Sequence, residues 1–175
     1  FIISCNPESE SDFIKPNRLE VGDTIAFCAP SGFLDSTRIG LAKKRLIEKG
    51  FHIVHDDSLF RNWGYLAGKD EVRANELMKY FNDKSVKAIF PGTGGYGATR
   101  ILSLIDYNII KENPKIFIGF SDITALHIAL NNHSNLVTFH TPNPMYGIGS
   151  KNGLEPISEL YFWSLLMNKE DDYQI

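Results

Sequence analysis

Two corners of this 175-residue chain carry residues that could do chemistry. The first is Gly119-Phe120-Ser121-Asp122, which closes the apolar run at residues 116–120 and leads into an amphipathic stretch. A serine on a tight strand-to-helix turn is pushed out of the backbone with its hydroxyl exposed, as in a nucleophile elbow. The second is Gly92-Thr93-Gly94-Gly95-Tyr96-Gly97, again at the end of an apolar run. Without side chains in the way, backbone N–H groups there can approach a ligand closely, as an oxyanion hole requires. Together the two corners would perform acyl transfer. The hydroxyl would attack, and backbone donors would hold the developing oxyanion.

Other readings of the same residues stand beside this one. Ser121 or Asp122 can simply cap the following helix. Gly92, Gly94 and Gly97 also satisfy G-x-G-x-x-G, a dinucleotide fingerprint. That motif normally opens the first βα unit and is followed by an acidic residue about twenty positions on. Here it would open the third unit, and the acidic residue would be Asp122, about thirty positions on.

Histidine and cysteine positions limit the alternatives. His52 and His55, three apart on a strand and its exit, do not share a face as metal ligands. His127 lies six residues along a helix from Ser121, which turns it roughly 120° around the axis and carries it about 9 Å along. His140 ends a strand expected beside the central one and could line the same edge; a hydrogen-bonded structural role is the equal alternative. Cys28 lies in an apolar strand and Cys5 in the N-terminal tail, so the two make neither a disulfide framework nor a zinc site.

The elements that must position these corners follow from periodicity. Strands are expected at residues 23–29, 51–54, 86–90, 116–120 and 136–139. Helices are expected after Ser36, which can cap the first, to a stop at Gly50, with Ile39, Ala42 and Leu46 as an apolar stripe, and at residues 69–82, 98–105, 123–130 and 157–167. In the second of these, Val72, Leu77, Met78 and Phe81 are available for burial. Residues 56–68, with Trp63 and Tyr65, form a loop long enough to be functional. Strict alternation with short connections predicts an α/β fold with a doubly wound, mostly parallel sheet and helices on both faces, Rossmann- or flavodoxin-like. Ligands bind such sheets at the carboxyl ends of the strands. The site should therefore be built by the loops after Ala29, Phe90, Phe120 and Phe139.

Composition is that of a globular chain, with 43% hydrophobic and 22% charged residues. A net charge of −3 without a Lys/Arg stripe gives no basis for a nucleic-acid partner. The start, Phe1-Ile2-Ile3-Ser4-Cys5, reads either as the end of a lipoprotein signal, with Cys5 lipidated and the chain membrane-tethered, or as a truncated apolar start.

Four stretches carry a resemblance. They are Leu19-Glu20-Val21-Gly22-Asp23-Thr24-Ile25 followed by Ala29-Pro30-Ser31, and Gly64-Tyr65-Leu66-Ala67-Gly68-Lys69-Asp70-Glu71-Val72-Arg73-Ala74. The others are Gly94-Gly95-Tyr96-Gly97-Ala98-Thr99-Arg100, and Asn113-Pro114-Lys115 through Gly119-Phe120-Ser121-Asp122-Ile123-Thr124-Ala125-Leu126-His127. In this order, over residues 14–147, they resemble the LD-carboxypeptidase family of serine peptidases. The resemblance implies that Ser121 is the nucleophile and that the backbone N–H groups of Asp122 and Gly95 form the oxyanion hole. Ser31, Gly94, Tyr96, Arg100 and His140 are then candidates to line the substrate.

The resemblance implies no metal and no cofactor. The substrate would be a murein-derived peptide, cleaved before a terminal D-amino acid such as the D-alanine of the tetrapeptide. A sister branch hydrolyses the peptide antibiotic microcin C. One departure is Thr93, where many murein members carry arginine. A homodimer is implied for the full-length form and a cytoplasmic location for the family; a cell-envelope lipoprotein is the alternative if Cys5 is acylated.

The expected organisation is a tail at residues 1–13, the nucleophile-bearing domain at 14–150, and a helix and linker at 151–175 leading toward a C-terminal catalytic domain. The family's glutamate and histidine lie in that further domain. The chain alone is therefore expected to lack appreciable peptidase activity.

Overall fold

The computed structural model describes residues 13–167. The lipobox-like start with Cys5 and the acidic stretch Glu170-Asp171-Asp172 lie outside the described residues. Five strands form one sheet: β1 (Thr24–Cys28), β2 (His52–Val54), β3 (Val86–Pro91), β4 (Ile116–Gly119) and β5 (Phe139–His140). They lie in the order β2-β1-β3-β4-β5, and every pairing is parallel.

Helices cover both faces, so the α/β, doubly wound, flavodoxin-like expectation holds. On one face α1 (Ser36–Glu48) and α5 (Pro156–Met167) bring Ile39, Ala42, Leu46, Phe162 and Leu166 onto Ile25, Phe27, Phe90 and Ile118. On the other, α2 (Asp70–Asn82), α3 (Tyr107–Glu112) and α4 (Thr124–Ser134) bring Leu77, Phe81, Ile110, Leu126 and Leu130 onto Ala26, Cys28, Ile89 and Phe117. The central strands β1, β3 and β4 are largely apolar on both faces because both are covered. Burial of Phe27, Phe90 and Phe117 contributes about 1.5–3 kcal/mol each.

Four local expectations need correction. The cap of α1 is Asp35, whose carboxylate accepts from the Arg38 N–H at 2.8 Å, and Ser36 is the first helical residue. The helix expected at residues 98–105 is a 3₁₀ run, Ala98–Leu104; the α-helix of that crossover is α3, nucleated by Asp106, which accepts from the N–H groups of Asn108 and Ile109. β5 is shorter than expected because Ile14 bridges across Leu136, its N–H donating to the Asn135 carbonyl and its carbonyl accepting from the Val137 N–H, leaving only Phe139 and His140 paired with β4. Finally, on α2 Leu77 and Phe81 are buried as expected and Met78 is half-buried, but Val72 is exposed, and Arg73 and Glu76 are buried in its place beside Ala74 and Tyr80.

Between β1 and β3 the strand order switches direction, the chain running outward to β2 and then back across to β3. Loops diverge at such a switch point and leave a crevice at the carboxyl ends of the strands. The loops after β1 and β3 flank this crevice, and the loop after β4 lies beside them.

Candidate active site

A pocket of about 490 Å³ opens at that edge. Gly32 and Phe33 reach it from the loop after β1, Tyr65 from the loop after β2, and Thr93, Gly94 and Gly95 from the loop after β3. Phe120 and Ser121 follow β4, and Asn143, Met145 and Tyr146 follow β5. No charged side chain of the described residues is in this lining, and Phe33, Tyr65 and Tyr146 are all exposed.

Ser121 is exposed and its backbone is left-handed, with φ at 62°. For a residue with a Cβ this conformation costs about 1–2 kcal/mol, so surrounding contacts must impose it. Neither Ser121 nor Asp122 caps α4 through its side chain. The capping alternative therefore does not account for the turn. Gly94 presses against it: a Cβ there would stand 3.0 Å from the Ser121 Cβ and 3.2 Å from the Asp122 amide nitrogen. A side chain there would push the elbow back by a few tenths of an ångström. Gly95, with φ at +121°, is exposed. Neither its N–H nor that of Asp122 has a hydrogen-bond partner among the described residues.

The loops are tied to one another mainly through backbone. The Gly32 N–H donates to the Gly94 carbonyl (3.1 Å), the Ala67 N–H to the Ser31 carbonyl (3.0 Å), and the Met145 N–H to the Gly92 carbonyl (2.9 Å). Ser31 is fully buried, and its hydroxyl donates to the Asp122 carboxylate at 2.5 Å. The same carboxylate oxygen accepts from the Ala98 N–H at 2.8 Å.

Arg73, also fully buried, donates to the carbonyls of Gly68 (3.1 Å), Pro30 and Gly97 (2.9 Å), and pairs with Asp70. Glu76, one turn further along α2, accepts from the Ala29 N–H (2.8 Å) and from Arg61 through both carboxylate oxygens.

The remaining candidates are placed as follows. Tyr96 is exposed beside the pocket with its ring tilted against Tyr65 at 5.8 Å. Arg100 is spent on Asp70, which it grips through Nε and Nη2. Arg100 first, and Arg73 with it, hold the Asp70 carboxyl below its usual pKa. His140 lies outside the Ser121 pocket, in a second concavity with Pro142, Ile157 and Tyr161, and its ring stands 5.9 Å from that of His127.

His127 itself is buried, stacks edge-on to Phe117 and donates from Nε2 to the Gly119 carbonyl (2.9 Å). Burial holds its pKa below the usual histidine value. The Ser121 hydroxyl has no hydrogen-bond partner among the described residues. Burial likewise pushes the Cys28 thiol well up, which leaves it unreactive. Among the described residues, no group of three or more His, Cys, Asp or Glu side chains is placed to hold a metal ion.

Sequence reasoning missed three groups here: the carboxylate of Asp122 as a link between loops, the buried pair Arg73 and Glu76, and Asn143. Asn143 is fully buried at the pocket wall; its Oδ1 accepts from the Tyr146 N–H at 2.8 Å, and its Nδ2 has no partner among the described residues. Arg73 and Glu76 had a signal, since two charges three apart with Ala74 and Leu77 between and beside them interrupt an apolar helix face. Asn143 had none.

Fold and corner together define the class, a doubly wound α/β domain carrying a left-handed serine elbow at the carboxyl edge of its sheet. Comparison with known proteins makes it specific. Residues 25–141 match the LD-carboxypeptidase N-terminal domain, and the chain belongs to that family. It is 37% identical over 159 residues to a probable murein peptide carboxypeptidase of Bacillus subtilis, an alignment covering 91% of this chain and 50% of that protein. It is 31% identical over 155 residues to the microcin C7 self-immunity protein MccF of Escherichia coli, covering 87% and 45%. Among solved structures, an MccF-like protein from Bacillus anthracis superimposes with a TM-score of 0.82 at 35% identity, over 88% of this chain and 47% of that one. The chain thus spans about half the length of the curated relatives it matches.

Proposed function

We propose that this chain is the nucleophile-bearing half of a serine LD-carboxypeptidase that hydrolyses the amide before a terminal D-amino acid, such as the D-alanine of a murein tetrapeptide. The observation that carries the reading is the exposed, left-handed Ser121, which shares one pocket with Gly94 and Gly95 and lies against Gly94, with the N–H groups of Asp122 and Gly95 unpaired among the described residues. In this mechanism Ser121 Oγ attacks the scissile carbonyl, the two N–H groups receive the oxyanion, and collapse of the tetrahedral intermediate releases the D-amino acid from an acyl-enzyme that water then hydrolyses.

A serine hydroxyl needs a base within hydrogen-bond reach. Inside the described residues His127 is committed to Gly119, and His140 lies in a different concavity. The base and its acidic partner then lie in the remainder of a longer protein, and this chain alone turns over no substrate. The likeness to the murein peptide carboxypeptidase supports the peptide substrate.

The uncharged, aromatic pocket favours one second reading, a microcin-type peptide bearing a flat ring system, since similar MccF structures hold adenosine monophosphate and aspartyl sulfamoyl adenosine. The test uses the complete protein and this chain side by side with a fluorophosphonate probe, an L,D-tetrapeptide and a microcin-type aminoacyl nucleotide. The expected result is labelling at Ser121 and release of D-alanine by the complete protein only. Cleavage of the nucleotide conjugate alone would transfer the assignment to the second reading, and labelling elsewhere than Ser121 would end both.

A further inference from the structure

Two side chains of opposite charge hold the same two loops at adjacent residues. Arg73, on α2, takes the carbonyls of Pro30 and Gly97. Asp122, beside the elbow serine, takes the hydroxyl of Ser31 and the N–H of Ala98. Each pair is consecutive in sequence, Pro30 with Ser31 after β1 and Gly97 with Ala98 after β3. A guanidinium supplies donors and a carboxylate supplies acceptors, so one polar group on each residue of the seam is satisfied. Hydrogen bonds to charged groups are the shorter and stronger kind, and in a site screened from water they fix position closely.

What this seam fixes is the distance between the glycine loop and the serine elbow. Ala98 follows the Gly94-Gly95 turn by a few residues, and Asp122 follows Ser121 directly. Resting on the reading that Ser121 is the nucleophile, we infer that the Asp122 carboxylate is a positioning residue: with Arg73 it presets the spacing of the two oxyanion donors through Ser31 and Ala98, and it takes no part as a base. Both hydrogen bonds to it, from Ser31 and Ala98, fall on Oδ2, and neither carboxylate oxygen is hydrogen-bonded to Ser121 Oγ among the described residues. The backbone of Asp122 would thus deliver one donor while its side chain places the other.

The arrangement separates two kinds of loss. Removing an oxyanion donor lowers kcat by about 10²–10³-fold. Displacing a donor that remains present should cost less, and it should appear in kcat with KM nearly unchanged, because the oxyanion forms only in the transition state.

The experiment measures kcat and KM for the complete protein on its peptide substrate in S121A, D122A, D122N and S31A variants, with fluorophosphonate labelling in parallel. D122A is expected to lose about 10–100-fold in kcat with KM within about threefold. D122N, which keeps an acceptor for the Ala98 N–H, should recover much of that loss, and S31A should lose only a few-fold. If S121A is inactive while D122A keeps kcat within about twofold of the parent, the positioning role is overturned and the nucleophile stands. If S121A remains active, the nucleophile reading itself fails. A pH profile for kcat in D122N that keeps the parent's limbs would agree with positioning, whereas loss of the acidic limb would make Asp122 the base and overturn the inference. Should D122A fail to fold, an S31A/D122N double variant decides in its place: a kcat loss beyond about twofold at unchanged KM supports the inference, and its absence refutes it.

Discussion

Helix α4 is bracketed by the two non-glycine residues with positive φ among those described, Ser121 two residues before its corner at Ile123 and Asn135 just after its end. Their angles are nearly the same, 62° and 53°. At the far end the conformation has an ordinary local cause: Asn135 is the C-terminal cap, its N–H returning to the Leu130 carbonyl, and asparagine is the residue type that tolerates this region best after glycine. At the near end no such cause operates. Serine gains nothing locally from being left-handed, and its side chain caps nothing. The strain at Ser121 is held in place by neighbouring loops, and that is the behaviour of a functional position. Similar backbone angles thus record helix termination at one end and presentation of a hydroxyl at the other.

The sharpest way to break the comparison is to remove the hydroxyl. In the complete protein Ser121→Ala is expected to lower kcat about 10⁴-fold or more, as loss of a nucleophile does, while Tm stays close to the parent because the exposed oxygen supports no contact. Turnover at the parental rate would reduce Ser121 to an oddly shaped turn. The next largest effect concerns what imposes the shape. Arg73→Met leaves three loop carbonyls and Asp70 without their buried donor, and stability should fall by about 3–5 kcal/mol, read from urea unfolding. A loss below about 1 kcal/mol would fit a surface contact and would mean that the loops hold themselves.

Much of this was legible in the sequence, and the limits have physical causes. The strands Thr24–Cys28, Val86–Pro91 and Ile116–Gly119 announced themselves because a strand covered on both faces is a continuous apolar run. The glycine loop and the serine corner were visible as local chemistry at strand ends. What periodicity could not reach was any contact made across the chain. Ser31 and Asp122 are 91 residues apart and meet only once β1 and β4 share an edge. The inward turn of Arg73 on α2 follows from three carbonyls waiting beneath it, which the helix pattern alone does not reveal. Leu136 and Val137 look like residues of β5, yet their bridge partner is Ile14, more than a hundred positions earlier in the chain, which no local pattern shows. His140, at the end of a strand, could line the site edge or serve structurally, and only the folded chain shows it opposite Gly119 in the register and in the neighbouring concavity.

A smaller effect tests the anchor of α4. His127 donates to the carbonyl of Gly119, two residues before Ser121, so it secures the near end from within the helix. Its pKa in the fold is lowered, by burial first and by His140 in addition, against about 6.5 when unfolded. Below that value the unfolded chain binds a proton that the folded one resists. Stability is therefore fully present above about pH 6.5 and is lost as pH falls below it toward the folded pKa, by at most about 1.4 kcal/mol per pH unit. Urea unfolding at pH 7.5 and 5.5 reads the loss, and His127→Gln, which can still donate to Gly119, should flatten it. Asp70 does not confuse the reading, since its lowered pKa puts its own loss in a window below about pH 4. An unchanged slope in the glutamine variant would assign the pH effect to another group.

The smallest effect is the most direct measure of the difference between the two ends. Replacing a left-handed residue by glycine removes the Cβ penalty of about 1–2 kcal/mol and gives back about 0.4–1 kcal/mol through the freer unfolded chain. For Ser121→Gly the first quantity applies in full, so a net gain in stability of about 0.5–1 kcal/mol is expected, in a protein that has lost its nucleophile. For Asn135→Gly the penalty was already small because asparagine tolerates the conformation, so stability should stay within about 0.5 kcal/mol of the parent. Measured as a pair under one set of unfolding conditions, the two substitutions compare like with like, since both sites have nearly the same φ and flank the same helix. Equal changes would mean that Ser121 is no more strained than an ordinary helix cap. A gain confined to Ser121 would mean that the fold spends stability at the one place where a hydroxyl has to stand clear of the backbone.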